Sequence, residues 1–335
     1  MSFNLSVKYN NSSVIKDTVD DDIEASQNIS AGFGIAGLCF IIFGIFGNII
    51  AIVVLRQKPM RCLGTKLLVY LAFVDILFLV LGGLRSVNYL LVEKVAIRAL
   101  SELNNVMRPP FMTVYMAEIY MTSLITVQRY VSVTKPLVAK RLMSERRLVI
   151  IMAVLGAWCV IFNIPLWLVF YPVFYYNTDM NITWIRHDTY VMPNNVPFYE
   201  STFYATVYSR YLDFIFHFLI PVSAMFIFNI LIVRTIKQQF RQSQQMKTQS
   251  DNSDSRLTIT IIAITTSSLV ASFPHTVDFA LFEILNWEAK CSLACITCGH
   301  VAILLVTVNC SLNCVFYCVC GSKFRQICWG LLCPT

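Results

Sequence analysis

Seven long stretches of this chain carry apolar residues without alternation, and short polar segments separate them. They cover residues 31–55, 66–91, 109–134, 148–171, 206–233, 257–285 and 294–320. Each is long enough for a helix across a hydrocarbon core of roughly 30 Å. Spanning strands are excluded, because strands of a membrane barrel alternate apolar and polar positions. The third stretch is the weakest, since Glu118 lies inside it. After the seventh comes Ser322–Lys323–Phe324–Arg325–Gln326–Ile327, too short to span. Phe324, Ile327 and Cys328 fall on one helical face there, with Lys323 and Arg325 off it. That pattern predicts an amphipathic helix on the inner leaflet. The first thirty residues are polar and acidic, without the apolar centre of a cleavable leader, so the first span is expected to act as its own signal. The predicted fold is an all-α membrane protein, a seven-transmembrane helix bundle with a short amphipathic helix after the last span. Residues 1–30 are expected to be a disordered tail, 31–320 the helical domain, and 321–335 the amphipathic helix and a short tail.

Composition strengthens this picture. The chain is 57% hydrophobic and 13% charged, against about 25% charged in soluble proteins. Its net charge of +7 is distributed by side. One set of connections holds Arg56, Lys58, Arg61, Lys66, Lys135, Lys140, Arg141, Arg146, Arg147, Arg234, Lys237 and Arg241. The other holds Asp17, Asp20, Asp21, Asp22, Glu93, Glu102, Asp179 and Asp188. Basic connections stay in the cytoplasm, so the N-terminus is expected outside a plasma membrane crossed many times. A nucleic-acid surface would not be divided among short segments bordering apolar runs. Glycan acceptor patterns begin at Asn4, Asn10, Asn11, Asn28 and Asn181, all on the predicted outer side. Cys328 and Cys333 are juxtamembrane, either palmitoylated or plain reduced thiols.

Polar residues inside the spans are the candidate chemistry. Asn48 follows Gly47 in the first span, and Asp75 sits well inside the second. An intramembrane carboxylate is costly and marks a function by default. The third span closes on Gln128–Arg129–Tyr130, with Pro136–Leu137 just beyond. An arginine there is either a functional cation or a side chain snorkelling from a helix end. Pro165, Pro221 and Pro274 predict kinks in the fourth, fifth and sixth spans.

Together these residues resemble the rhodopsin-class (class A) G-protein-coupled receptors. The resemblance runs over about residues 31–330 and is carried by Gly47–Asn48, Leu71–Ala72 with Asp75, Gln128–Arg129–Tyr130, Pro136–Leu137, Trp158, Pro221, Pro274, Asn313 through Tyr317, and Phe324. The finer likeness is to invertebrate FMRFamide-like neuropeptide receptors, through Asn309, Ser311, Asn313, Tyr317–Cys318 and Gly321–Ser322–Lys323–Phe324–Arg325. Several family positions differ. Gln128 stands for an acid, Ser272 for a tryptophan and Cys314 for a proline. Asn104 occupies the family's third-span cysteine position, and the loop after the fourth span has no cysteine, so the usual outer disulfide is expected to be absent. Cys291 and Cys295 either pair or, with Cys298, stay free.

The resemblance implies a relay from an outer ligand to a heterotrimeric G protein. Arg129 with Tyr130, Gln128, Pro274, Asn313 and Tyr317 would form the switch, and Arg129, Pro136 and Leu137 would face the G protein. Asp254 is expected either to pair with Arg129 or to cap the sixth helix. Asp75, Asn309 and Asn313 match the family's sodium site, with Glu118 where a serine is usual. Two carboxylates in one cavity either hold a sodium ion or share a proton; no other cofactor or metal is expected. The outer ends hold Arg85, Arg108, Tyr115, Arg210, Asp213, His217, His275 and Asp278. Asp213 and His217 share a face, as do His275 and Asp278. Asp213 and Asp278 are candidate counter-ions for a basic peptide, or Asp213 pairs with Arg210. No enzyme activity is expected. A chemosensory or non-signalling receptor remains an alternative, as does a transporter using Asp75 and Glu118, although no internal repeat supports the last.

Overall fold

The computed structural model describes residues 4–60, 62–95, 98–142, 144–177, 182–193, 196–246, 252–279 and 292–332. The first helix, α1, runs over Asn4–Leu55. Residues 4–30, expected to be a disordered tail, are therefore helical and continuous with the first span. The reason is local: no proline or glycine interrupts residues 4–31. A helix already nucleated by the apolar segment propagates at low cost.

A turn at Lys58–Met60 leads to α2, Leu63–Val95. Its start is fixed by Thr65, whose hydroxyl donates to the Met60 carbonyl at 2.7 Å and accepts from the Cys62 amide at 3.0 Å. Helix α3, Arg98–Thr134, contains Pro109 and Pro110. The Pro109 carbonyl is taken by the Thr113 hydroxyl at 2.8 Å. Helix α4, Pro136–Leu142, opens on a proline, whose fixed φ suits a first helical position. Helix α5, Glu145–Phe162, stops at Asn163, and α6, Ile164–Val169, resumes with Pro165 in its first turn. Asn163 donates its side-chain amide to the Cys159 carbonyl at 2.8 Å, closing the end of α5.

Strands β1, Tyr171–Asn177, and β2, Ile182–Asp188, then pair antiparallel, with Tyr171 opposite Asp188 and Asn177 opposite Ile182. The seven-helix bundle is as expected, and this short hairpin between two spans is an addition to it. The fifth span begins as wide π-helical turns over Phe203–Leu212 and Phe214–Leu219 and continues as α7, Ile220–Met246. Pro221 lacks the N–H that would bond the His217 carbonyl, so the α ladder is interrupted where the wide turns give way to α7. Helix α8, Asn252–Phe279, contains Pro274. Helix α9, Ser292–Cys320, meets α10, Ser322–Leu332, at Gly321. A Cβ at Gly321 would lie 2.7 Å from the Tyr317 carbonyl oxygen, so the sharp turn requires glycine.

Among the described residues, six helical stretches are long and apolar enough to cross a membrane: Ala31–Leu55, Gly64–Val87, Glu145–Val169, Phe203–Gln239, Thr258–Val277 and Thr297–Cys320. Helix α3 completes the seven by position, packing against α2, α5, α7, α8 and β2. Its polar residues are tolerated because neighbouring helices, not lipid, surround it. The outward faces are apolar, with Phe46 65% and Val270 67% exposed. Inside, one cluster gathers Leu67, Leu71, Met121, Ile125, Ile264, Tyr317 and Phe324 toward the end with the basic connections, called inner here. A second gathers Phe78, Phe111, Tyr115, Phe218, Met225 and Val306 toward the other. Asn48 ties α1 to α9, donating to the carbonyls of Gly44 at 2.9 Å and Cys310 at 3.0 Å.

Candidate functional site

Three polar groups lie along the bundle axis. At the inner end Arg129 is buried on α3, and its Nη2 donates to the Thr258 hydroxyl on α8. Gln128 is buried beside it, donating Nε2 to the Ser132 hydroxyl at 2.9 Å, while its Oε1 has no hydrogen-bond partner. The Asp254 side chain, the expected counter-charge, lies outside the described residues. Tyr130 packs on Phe228 of α7, with ring centroids 5.2 Å apart. Pro136 and Leu137 are exposed where α4 begins. Tyr317 is buried against Phe324 at 5.5 Å, and its hydroxyl has no partner. Arg325 donates to the carbonyls of Cys318 and Val319, each at 2.8 Å, covering the open end of α9. On α10, Lys323 and Arg325 face outward while Phe324 and Ile327 pack on the inner cluster. Cys328 packs there too. Burial, then the Cys318 thiol, push its pKa up. Cys333 lies outside the described residues.

Mid-bundle, Asp75 of α2 and Glu118 of α3 are brought together with Cys310 of α9, their donor atoms all within 4.8 Å of one another. Asp75 and Cys310 are 0% exposed and Glu118 2%. Asn313 donates its amide to Asp75 Oδ2 at 2.6 Å, and Thr122 its hydroxyl to Glu118 at 3.4 Å. Asp75 Oδ1 has no hydrogen-bond partner. Asn309 hydrogen-bonds to α8 rather than to the two carboxylates. Both ends of its amide are taken by α8, with Ser267 donating to it at 2.7 Å and Ser268 accepting at 2.9 Å. Cys310 joins the two carboxylates as a residue the sequence had not singled out.

Toward the outer end, His217 and Asp213 bond through Nδ1 and Oδ1 at 3.0 Å. Tyr115 of α3 lies against His217 at 5.4 Å and against Pro274's neighbour His275 at 5.3 Å. Tyr115 Oη, His217 Nε2 and His275 Nδ1 are buried without hydrogen-bond partners. Arg85 sits over the Phe111 ring at 4.7 Å and Arg108 over Phe170 at 5.2 Å, both favourable cation–aromatic contacts. Arg210 is half-buried. The side chains of Asp278, Asn4, Asn10, Asn11 and Asn28, and all of Asn181, lie outside the described residues, as do Cys291 and the Cys295 side chain. Cys298 is a free thiol. Sequence reasoning missed Thr258 and Cys310, whose roles come from partners on other helices.

The Drosophila melanogaster FMRFamide receptor is 25% identical over 301 residues, covering 85% of this chain. This chain spans 51%, about half, of that receptor's length. Squid rhodopsin shares the fold, with a TM-score of 0.63 at 18% identity, covering 92% of this chain and 86% of that one. The model of the family described as "7 transmembrane receptor (rhodopsin family)" matches residues 47–317, from Gly47 through Asp75 and Arg129 to Tyr317. This chain belongs to the rhodopsin family of seven-transmembrane receptors.

Proposed function

We propose that this protein is a G-protein-coupled receptor of the plasma membrane, its N-terminus outside, that answers an extracellular peptide and acts on a heterotrimeric G protein. One observation carries this reading. The outer group of Tyr115, His217 and His275 has three buried polar atoms without partners, and it is built on the same elements as the inner Arg129–Thr258 bond. Tyr115 shares α3 with Arg129, and His275 shares α8 with Thr258. A ligand that satisfies the outer atoms gains hydrogen bonds worth roughly 1 kcal/mol each. If it does so better in one arrangement of α3 and α8, it shifts the population of the inner end. Asp213 favours a basic ligand group. The β1–β2 hairpin, aromatic and polar in sequence, suits a peptide better than a small amine, and the Drosophila relative is named for one. Pro136, Leu137 and the basic connections form the surface for the G protein.

The mid-bundle group is proposed to hold one sodium ion between Asp75 and Glu118, with Asn313 alongside, or to share one proton there. The donor set fits: hard carboxylate oxygens, one of them unpartnered at Asp75 Oδ1. The ion would neutralise two carboxylates that cannot both stay charged cheaply in a dry core.

The test is a library of amidated peptides applied to cells expressing the protein, read by calcium and cyclic AMP. A response that His217→Phe and Tyr115→Phe weaken about tenfold, at equal surface expression, supports the reading. A protein at the cell surface that no peptide activates, but that small odorant-like molecules do, overturns the peptide assignment.

A further inference from the structure

The lipid-facing side of the bundle is not uniformly smooth. Between the inner halves of α7 and α8 lies a groove of about 670 Å³, within the ~300–1,000 Å³ range of small-molecule sites. Its walls are apolar: Phe226, Ile230 and Val233 from α7, with Ile262, Val270 and Phe273 from α8. Two features are not what a hydrocarbon-filled crevice needs. The first is Asn229, 7% exposed and part of the lining. Its Oδ1 accepts from the Thr265 hydroxyl at 2.8 Å, but its Nδ2 is buried without a hydrogen-bond partner. No water reaches such an amide in a bilayer core, so it needs an acceptor from elsewhere. The second is the inner end of the groove, where Arg234 and Lys237 are both exposed and, among the described residues, no carboxylate lines the site.

These groups line the groove over an arc of roughly 140° on α7. Asn229 precedes Arg234 by five residues and Lys237 by eight, so they lie roughly 7.5 Å and 12 Å deeper toward the cytoplasm along the helix. In a phospholipid, acyl chain, ester carbonyl and phosphate follow one another in that order from the bilayer centre outward.

We propose that this groove binds one anionic glycerophospholipid of the inner leaflet. Its acyl chain lies between Phe226 and Phe273, its ester carbonyl accepts from Asn229 Nδ2, and its acidic headgroup sits between Arg234 and Lys237. Charge complementarity selects the anionic lipid over a zwitterionic one. The unpartnered amide distinguishes a seated lipid from one passing along the surface. The inference does not depend on the identity of the outer ligand or on peptide activation.

The test uses the full chain reconstituted in phosphatidylcholine vesicles that contain a minority of phosphatidylserine. The probe is phosphatidylserine with a photoactivatable acyl chain, and cross-linked peptides are mapped by mass spectrometry. Labelling is expected on α7 and α8 around Phe226 and Phe273, in preference to photoactivatable phosphatidylcholine. Combined Arg234→Gln and Lys237→Gln should lower that preference by at least about tenfold, while Lys58→Gln with Arg146→Gln leaves it intact. Asn229→Leu, which fills the space with apolar atoms, should reduce labelling by both lipids. Thermal stability in detergent identifies any variant that has simply misfolded, and Asn229→Ala then replaces Asn229→Leu. Equal labelling by the two lipids, equal loss with the Lys58 and Arg146 pair, or cross-links joining two copies of the chain through this face would each overturn the proposal.

Discussion

The two buried ionisable centres of the bundle solve opposite problems. At the inner end a single cation, Arg129, lies beside neutral Gln128 on its own helix and reaches the Thr258 hydroxyl across to α8. At mid-bundle two carboxylates and a thiol converge within 4.8 Å, with Asn313 and Thr122 as hydrogen-bond donors. The inner centre is 7% exposed at Arg129 and close to the membrane surface, where a long side chain can move its charge toward water. The middle centre is sealed, and its short carboxylates have no such route. The comparison teaches where each can act. A bond from a cation to a hydroxyl is worth a few kcal/mol and can be exchanged for another partner. Two carboxylates in a dry core need a proton or an ion before they are affordable at all. The inner centre is thus suited to switching, and the middle one to setting a condition on the switch.

The largest expected effect comes from removing the inner cation. Arg129→Ala should abolish agonist-stimulated nucleotide exchange on the G protein while leaving surface expression intact. Full stimulated exchange by this variant would show that the inner centre is not the switch.

Next in size is the partner. Thr258→Val keeps the shape of the side chain and deletes the hydroxyl. A hydrogen bond to a charged group contributes about 1.5–3 kcal/mol, and 1.4 kcal/mol is tenfold. Unliganded exchange should rise by about tenfold, with little change in the maximum that agonist produces. Basal exchange equal to that of the parent protein would mean that the Thr258 bond does not restrain α8.

A smaller change is expected from restoring an acid next to the arginine. Gln128 Oε1 is buried and unpartnered. In Gln128→Glu a carboxylate takes its place beside Arg129, within reach of the Ser132 hydroxyl. The inner cation gains a fixed counter-charge on its own helix, so unliganded exchange should fall a few-fold. A rise in exchange would separate Gln128 from the restraint of Arg129 altogether.

The sequence made the fold legible because seven apolar runs, their flanking charges and their prolines are local signals. The helix breaks at Asn163–Pro165 and around Pro221 follow from residues one can point to in order. The inner centre was half legible. Arg129 and Gln128 announce themselves, but Thr258 does not, since a threonine on a membrane helix usually bonds its own backbone, as Thr126 and Thr307 do here. The middle centre was legible as carboxylates with Asn313, while Cys310 was not singled out. Asn309 and Cys310 differ by one position, or about 100° around a helix, and only the rotation of α9 decides which faces Asp75. The β-hairpin and the helical start of α1 were missed for different reasons. A short paired strand carries little periodicity, and the polar residues 4–30 read as tail although nothing in them breaks a helix.

The smallest expected effect is also the sharpest test of the contrast between the two centres. If the middle centre is a condition on the switch, its charge balance must differ between the two arrangements of the bundle. If the site holds sodium between Asp75 and Glu118 and closes on activation, closing expels the ion. Sodium, replaced by potassium at constant ionic strength in the control, should then lower agonist affinity by about two- to threefold, a modest coupling within the usual scale of such linkages. Glu118→Ser leaves one carboxylate and weakens the electrostatic hold on the ion, so a higher sodium concentration should be needed for the same effect. Glu118→Gln removes the same charge but keeps the volume, and should bind agonist with the affinity the parent shows without sodium. Affinity that ignores sodium but falls as pH rises assigns the balance to a shared proton, released when the cavity opens. Affinity that ignores both, in the parent and in both variants, would show that the two carboxylates are structural and that the inner centre switches unconditioned by them.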